Sequence, residues 1–286
     1  GALEPIRTDS TFVADSGVDF LVRTVSSLQN KARAKRASGT RARRRPNPLL
    51  NYDEEMFVAD ISPTHRCLLN KYNVIDHHLL IVTRAFEDQR TLLTLADFEA
   101  ACLCMAEFDG LAFYNGGRVA GASQRHKHLQ MIPLPMARTG PRVPIDPLIE
   151  SSPRTKRLFS LPQLPFIHAV AHLDGFSRVD AQQLPRRLLR LYRRMLRATG
   201  MNDRFDRSAP VWQSRPYNLL FTRQWMLLVP RSREFYRGIS VNALGFAGAL
   251  LVRDQRQLLC LRGVGPMAAL LRTAVKRPAA KGLTVQ

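Results

Sequence analysis

The chain has 286 residues, 45% of them hydrophobic, and 43 lysines and arginines against 23 acids, a formal charge of +20. That composition buries a sizeable core and excludes a disordered chain. No apolar run reaches bilayer-spanning length ("LGFAGALLV" is among the longest), and the opening "GALEPIRTDS" carries acids and no apolar leader core, so neither a membrane anchor nor a secretory signal is expected. The four cysteines, Cys67, Cys102, Cys104 and Cys260, form no Cys-x-x-Cys. Reduced thiols in a cytoplasmic protein without structural zinc are the expectation. The positive field attracts anions, whether nucleic acid, polyphosphate or acidic membrane, and by itself selects none of them.

Residues 1 to 30 read as a strand-and-helix lead-in, with "VDFLVRTVSSL" apolar enough to pack. Residues 31 to 45, "KARAKRASGTRARRR", hold eight basic residues and no acid, and read as a mobile loop, either a solvated linker or a flap that contacts phosphates. "MFVADISP", "HRCLLNKY" and the β-branched "VIDHHLLIVTR" read as strands. "LTLADFEAACLCMAEF" has helical spacing, with Asp97 near its start. "GLAFYNGGR" is a strand closing on a turn signal, and "GASQRHKHLQMIPLP" is a strand ending at Pro133. After residue 136 the chain is proline-rich and loose as far as "LPFIHAVAHL". A basic amphipathic helix follows, "AQQLPRRLLRLYRRMLRATG", stopped by Gly200, whose arginines read as a solvated face before they read as a nucleic-acid contact. "YNLLFTRQWMLLVPRS" is a hairpin echoing "CLLNKYNVIDHHLLIVTR", a weak hint of two related halves. "VNALGFAGALLVRD" and "GVGPMAALLRTAV" close the chain as helix-like segments.

The chemistry concentrates in His126-Lys127-His128-Leu129-Gln130. Strand alternation puts His126, His128 and Gln130 on one face, about 7 Å apart at each step, and Lys127 and Leu129 on the other. A neutral imidazole whose Nδ1–H is held by a carbonyl keeps Nε2 as a nucleophile toward phosphorus, and a glutamine amide can donate to a phosphoryl oxygen. "YNGG" and "GASQ" bracket the segment. Gly116, Gly117 and Gly121 allow close backbone approach, and Ser123 and Gln124 add donors to an anion-binding surround. Two other readings stay open at this point. One is a metal clip completed by His65, His77 or His78, and the other is a strand with unremarkable polar residues.

The stretches "NPLLNY", "CLLNKYNVIDHHLLIVTRAFE", "LAFYNGGRVAGASQRHKHLQMIPLP", "YNLLFTRQWMLLVPRSRE" and "ISVNALGFAGALL" resemble the diadenosine tetraphosphate phosphorylases, or ATP adenylyltransferases. These belong to the histidine-triad superfamily, on the galactose-1-phosphate uridylyltransferase-like branch. The resemblance implies an α+β fold: an antiparallel sheet with flanking helices, in two related halves, 1–135 carrying the motif and 136–286 completing the nucleotide site. It implies His128 as the nucleophile forming an adenylyl intermediate, His126 as its support through the backbone carbonyl, and Gln130 in the place where hydrolysing branches carry a third histidine. Lys31, Lys71, Asn115, Gly116, Gly117, Ser123 and Gln124 would hold phosphates, with Ser240, Asn242 and Gly245 in a second wall. The implied partners are adenine nucleotides and inorganic phosphate, with Mg²⁺ or another divalent cation carried on the polyphosphate and no metal held by the protein. Adenylyl sulfate is an alternative donor to the same His128, and a basic nucleic-acid-binding protein is the alternative from another class. The chain departs from the family in having Arg125 where proline is usual before the first histidine, and Leu49 and Asn51 within "NPLLNY". Arg125 is expected to bear on the choice of leaving group or acceptor.

Overall fold

The computed structural model describes residues 3–25, 47–155, 157–173, 182–201 and 211–278; the basic tract 31–45, Lys31 included, lies outside them. The lead-in is a hairpin of two strands, β1 (Thr8–Asp15) and β2 (Val18–Val25), where the sequence suggested a strand and a helix. The strands β3 (Phe57–Asp60), β4 (His65–Leu69), β5 (Leu79–Thr83), β6 (Gly110–Asn115), β7 (His128–Pro133), β8 (Ala169–His172), β9 (Tyr217–Phe221) and β10 (Trp225–Pro230) form one antiparallel sheet in the order β3-β4-β5-β7-β6-β9-β10-β8. Both hairpins that echo each other in sequence, β4–β5 and β9–β10, lie in this sheet, and β6 pairs with β9 at its centre. The α+β class expected from the sequence is the class observed.

Alternation along the central strands divides the core in two. On one face Ala112, Tyr114, Leu129, Met131, Met226 and Leu228 pack under helices α1 (Leu95–Glu107) and α3 (Leu184–Ala198). α3 turns Leu188, Tyr192, Met195 and Leu196 inward, and Arg186, Arg187, Arg190 and Arg194 are exposed. On the other face Leu111, Phe113, Ile132, Trp225, Leu227 and Val229 meet a second layer built from β2 and the C-terminal segment. The short helix α2 (Asp146–Glu150) belongs to this layer through Leu148 and Ile149.

The C-terminal segment corrects the helix-like reading of "VNALGFAGALLVRD". It forms the small ladder β11 (Phe235–Tyr236) and β12 (Ile239–Ser240), one turn of helix α4 (Ala243–Phe246), and then strand β13 (Ala249–Val252), parallel to β2. Gly248 makes the break. It sits at φ 91°, and a Cβ there would lie 2.6 Å from Pro144 Cβ, so the chain leaves the helix through a conformation and a contact that suit glycine alone. Helices α5 (Gln255–Val264) and α6 (Pro266–Thr273) complete the layer. This layer covers the β6–β8 side of the sheet and Ile132 of β7 but stops short of β4, β5 and the His128 end of β7, and there the sheet face carries Leu68, Leu80, His128 and Gln130 into a cavity. Among the described residues no helix is long and apolar enough to cross a membrane.

Candidate active site

The cavity is about 750 Å³, large enough for a nucleotide. Of the residues singled out from sequence, His128, Gln130, Lys71, Asn115, Ser123, Gln124, Ser240 and Asn242 line it. Gly116, Gly117, Gly245 and the His126 side chain are outside the lining. Gly116 packs on Gln213 and the Tyr217 carbonyl, Gly117 turns at φ 84° against Arg90, and Gly245 packs among Val241, Leu250 and Leu270. Lys71 is at the cavity edge, 3.7 Å from Glu4. Ser240 donates to Glu234, and Asn242 caps α4 by accepting from the Leu244 N–H. Gly121, at φ 96°, brings the 121–124 loop against the second wall; a Cβ there would meet Asn242 Cβ at 2.7 Å.

His128 is 4% exposed. Its Nδ1–H donates to the His126 carbonyl at 2.7 Å, which leaves Nε2 as the unprotonated nitrogen. Burial pulls the ring's pKa down to about 4, so it is neutral across the physiological range. Its backbone is held by a residue with no signal in the sequence, Gln89. The Gln89 Oε1 accepts the His128 N–H at 2.8 Å, and its Nε2 donates to the His128 carbonyl at 3.1 Å and the Asn115 carbonyl at 3.0 Å. The β6–β7 ladder ends at Phe113↔Gln130. The next rung of the alternation, Asn115 opposite His128, is replaced by the Gln89 carboxamide wedged between the strands.

The direction of each key hydrogen bond is fixed by a donor that cannot reverse. The Leu49 N–H donates to Asn47 Oδ1, so Asn47 Nδ2 donates to His126 Nδ1 at 2.9 Å, and His126 Nε2–H donates to the Thr83 carbonyl at 2.7 Å. The His126 ring is thereby neutral and locked, and its carbonyl is held for His128. By the same logic the Tyr72 N–H fixes Asn70, Asn70 Nδ2 donates to His78 Nδ1 at 3.2 Å, and His78 Nε2–H donates to Gln130 Oε1 at 2.9 Å. In a third chain Arg231, a pure donor, gives to Asn218 Oδ1 at 2.6 Å, and Asn218 Nδ2 gives to Asn115 Oδ1 at 2.8 Å, which also accepts the Ala243 N–H at 2.9 Å. The cavity-lining amides of Gln130 and Asn115 therefore each have their oxygen engaged and their NH₂ left for a ligand. Burial lowers the Arg231 pKa to about 9, which still leaves a positive charge behind Asn115.

The alternation read from sequence holds on the opposite face too. Lys127, 0% exposed, reaches under α1 and donates to Asp97 at 2.7 Å, Glu87 at 3.1 Å and the Leu92 carbonyl at 3.1 Å. Asp97 also accepts from Thr94 and contacts His65 at 3.2 Å. Burial works to raise the Asp97 pKa, but Lys127 and His65 outweigh it and hold the carboxyl ionised. Of the histidines weighed as metal ligands, His65 serves Asp97 and His78 serves Gln130, and among the described residues no group of three His, Cys, Asp or Glu is placed to hold a metal. Arg125 is on the surface, with its side chain 80% exposed and paired with Asp88 at 3.0 Å, away from the cavity lining.

With this geometry in place, comparisons with known proteins identify the family. The model of the Ap4A phosphorylase N-terminal domain matches residues 1–151, and that of the ATP adenylyltransferase C-terminal domain matches residues 162–276. The chain is 31% identical over 284 residues to diadenosine 5',5'''-P1,P4-tetraphosphate phosphorylase 2 of Saccharomyces cerevisiae, covering 90% of this chain and 84% of that one. It is 27% identical over 272 residues to Protein APA1 of the same yeast, covering 89% and 82%. The crystal structure of yeast Ap4A phosphorylase Apa2 superimposes with a TM-score of 0.75 at 27% identity, covering 98% of this chain and 91% of that one, and its complex with Ap4A does so with a TM-score of 0.75 at 25% identity, covering 98% and 93%. Two family models that between them span residues 1–151 and 162–276, and a relative matched at 31% identity over most of both chains, establish that this chain belongs to the Ap4A phosphorylase family.

Proposed function

We propose that the protein cleaves diadenosine tetraphosphate with inorganic phosphate, releasing ATP and ADP, through an adenylyl group carried on His128 Nε2. The observation that carries this reading is the state of His128: a neutral ring, Nδ1–H held at 2.7 Å by the His126 carbonyl, lining a nucleotide-sized cavity. In the first displacement Nε2 attacks the α-phosphorus in line, the P–N bond forms, and the bond to the bridging oxygen breaks as ATP leaves. The Nδ1–H remains on the His126 carbonyl and stabilises the positive charge that the ring acquires. In the second, a phosphate oxygen attacks the same phosphorus, the P–N bond breaks, and ADP forms while the ring returns to neutral. Run backward, the two steps make the dinucleotide from ATP and ADP. Splitting the transfer this way suits a ping-pong scheme, with catalysis resting on positioning and charge neutralisation. The NH₂ groups of Gln130 and Asn115 would donate to phosphoryl oxygens, with Ser123, Gln124 and Lys71 along the polyphosphate. A divalent cation would ride on the polyphosphate as part of the substrate.

The test uses diadenosine tetraphosphate labelled on its α-phosphates. Acid-labile, base-stable label on His128, and ADP release that requires phosphate, are expected; absence of both sinks the reading. Adenylyl sulfate offered in place of the dinucleotide tests the alternative donor. Salt-dependent duplex binding without any adenylyl transfer would favour the nucleic-acid reading instead.

A further inference from the structure

Gln130 is an ambiguous group, since a carboxamide can present either its oxygen or its NH₂ to a ligand. In this protein the choice is made elsewhere. Asn70 and His78 sit at the two ends of the β4–β5 turn, and the Asn70 N–H donates to the His78 carbonyl at 2.8 Å. The turn enters His78 through His77 at φ 56°, a left-handed conformation that costs a non-glycine residue and is maintained here. The His78 ring is 8% exposed, fixed by Asn70 on one nitrogen and Gln130 on the other, and packed 5.9 Å from the Phe113 ring. The Tyr72 N–H sets the polarity of the whole relay, so His78 is protonated at Nε2 and the Gln130 oxygen is the atom turned away from incoming ligands.

We propose that Asn70 and His78 form a positioning device that holds Gln130 as a donor and thereby commits the adenylyl-enzyme to an anionic acceptor in preference to water. This rests on the transfer reaction proposed above. When water attacks the adenylyl phosphorus, the P–O bond forms, the P–N bond breaks, AMP leaves, and the water must lose a proton to an acceptor. The Gln130 oxygen is the neutral side-chain acceptor on this strand that could orient such a water, and the His78 Nε2–H holds it turned away from the incoming ligand with the NH₂ presented in its place. When phosphate attacks, the new P–O bond forms from an oxygen that is already anionic, no proton needs a base, and donor NH₂ groups fit the charge on both phosphates. The relay therefore favours one acceptor class by the direction of a single hydrogen bond.

The experiment isolates the adenylyl-enzyme and measures how it divides between ADP (phosphate) and AMP (water) at a fixed phosphate concentration, alongside the rate of ATP release in the first step. His78→Leu removes the N–H, and the AMP share relative to ADP is expected to rise about tenfold, the weight of one buried hydrogen bond. ATP release is expected to fall as well, since Gln130 donates to the phosphoryl oxygens in that step too, so the division is read on adenylyl-enzyme already formed, where that loss does not enter. His78→Gln, whose amide reaches the same position, is expected to restore the wild-type division. Asn70→Ala frees the His78 tautomer and is expected to shift the division the same way by at least about threefold. It carries the test if His78→Leu does not fold. Independently, long-range ¹⁵N–¹H correlation spectra of the wild type should show His78 protonated at Nε2 and His128 at Nδ1. Unchanged division in a folded His78→Leu or Asn70→Ala variant, or a His78 protonated at Nδ1, overturns this inference. A wild-type protein that forms no adenylyl-His128 overturns the reaction beneath it, so the two failures are distinct.

Discussion

Replacing Gln89 by leucine tests whether the wedge between β6 and β7 holds His128, the proposed nucleophile. The substitution keeps the volume and deletes the carboxamide at a position 1% exposed. Two backbone groups then lose their partner inside the protein, the His128 N–H (2.8 Å) and the His128 carbonyl (3.1 Å), while the Asn115 carbonyl (3.0 Å from Gln89) keeps the Gly117 N–H at 2.8 Å. An orphaned buried polar group costs about 1–3 kcal/mol, so the two together should cost about 2–6 kcal/mol. That is a large part of the roughly 5–15 kcal/mol that separates folded from unfolded chains. Urea unfolding should show a lower midpoint at an unchanged slope. Chemistry should suffer separately. With its rung removed His128 is free to drift, and a displacement of about 1 Å at a reacting group lowers rates on the order of a hundredfold. Labelling of His128 under conditions where the variant is still folded reads that term. A Gln89→Leu protein within about 1 kcal/mol of the wild type that also labels at the wild-type rate would refute the argument that the wedge is the missing rung.

Two further outcomes follow from the same structure. Lys127→Met strands the ionised, fully buried Asp97 and should cost about 3–5 kcal/mol in urea unfolding, with part recovered when Asp97→Asn is added; an equal cost in the single and double variants would show that the charge pair is not the origin. Burial lowers the pKa values of His78, His128 and His168 to about 4, below the ordinary histidine value of 6.5, so each is neutral in the folded state while the unfolded chain takes up protons. Their contribution is complete above pH 6.5 and falls as pH drops from there toward 4, by up to about 1.4 kcal/mol per pH unit for each ring, so a urea midpoint constant between pH 7 and 5 would contradict it.

The large sheet was legible in the sequence because its strands carry β-branched and alternating patterns and its turns carry Asn and Gly. The helix over 95–107 was legible because its spacing and Asp97 agree. The C-terminal layer was not: "ALLV" at 249–252 is too short for periodicity to separate strand from helix, and its partner strand lies at the other end of the sequence. The strand proposed to carry the nucleophile announced itself through His-x-His-x-Gln. Gln89, Asn47, Thr83, Asn218 and Arg231 did not, since a residue acting on a backbone group, on a distant histidine ring or on another amide leaves no spacing to read. His78 was visible only as a stray histidine. What distinguishes it is the hydrogen-bond direction imposed by Tyr72 and Asn70, which exists only once the turn has folded.

The parallel pairing of β2 with β13 has a consequence for biosynthesis. The hairpin β1–β2 leaves the ribosome early, yet the strand that covers its inner edge, Ala249–Val252, is translated roughly 230 residues later. At about 5–20 residues per second that interval is roughly 10–45 s, during which a nascent chain displays Phe20, Leu21 and Val22 beside an unpaired edge. The same closure makes the cavity one of the last features to form. Ser240 and Asn242 reach its wall only when the late segment has docked, so a chain interrupted before residue 249 would carry His128 on an assembled strand and still lack the surface that faces it.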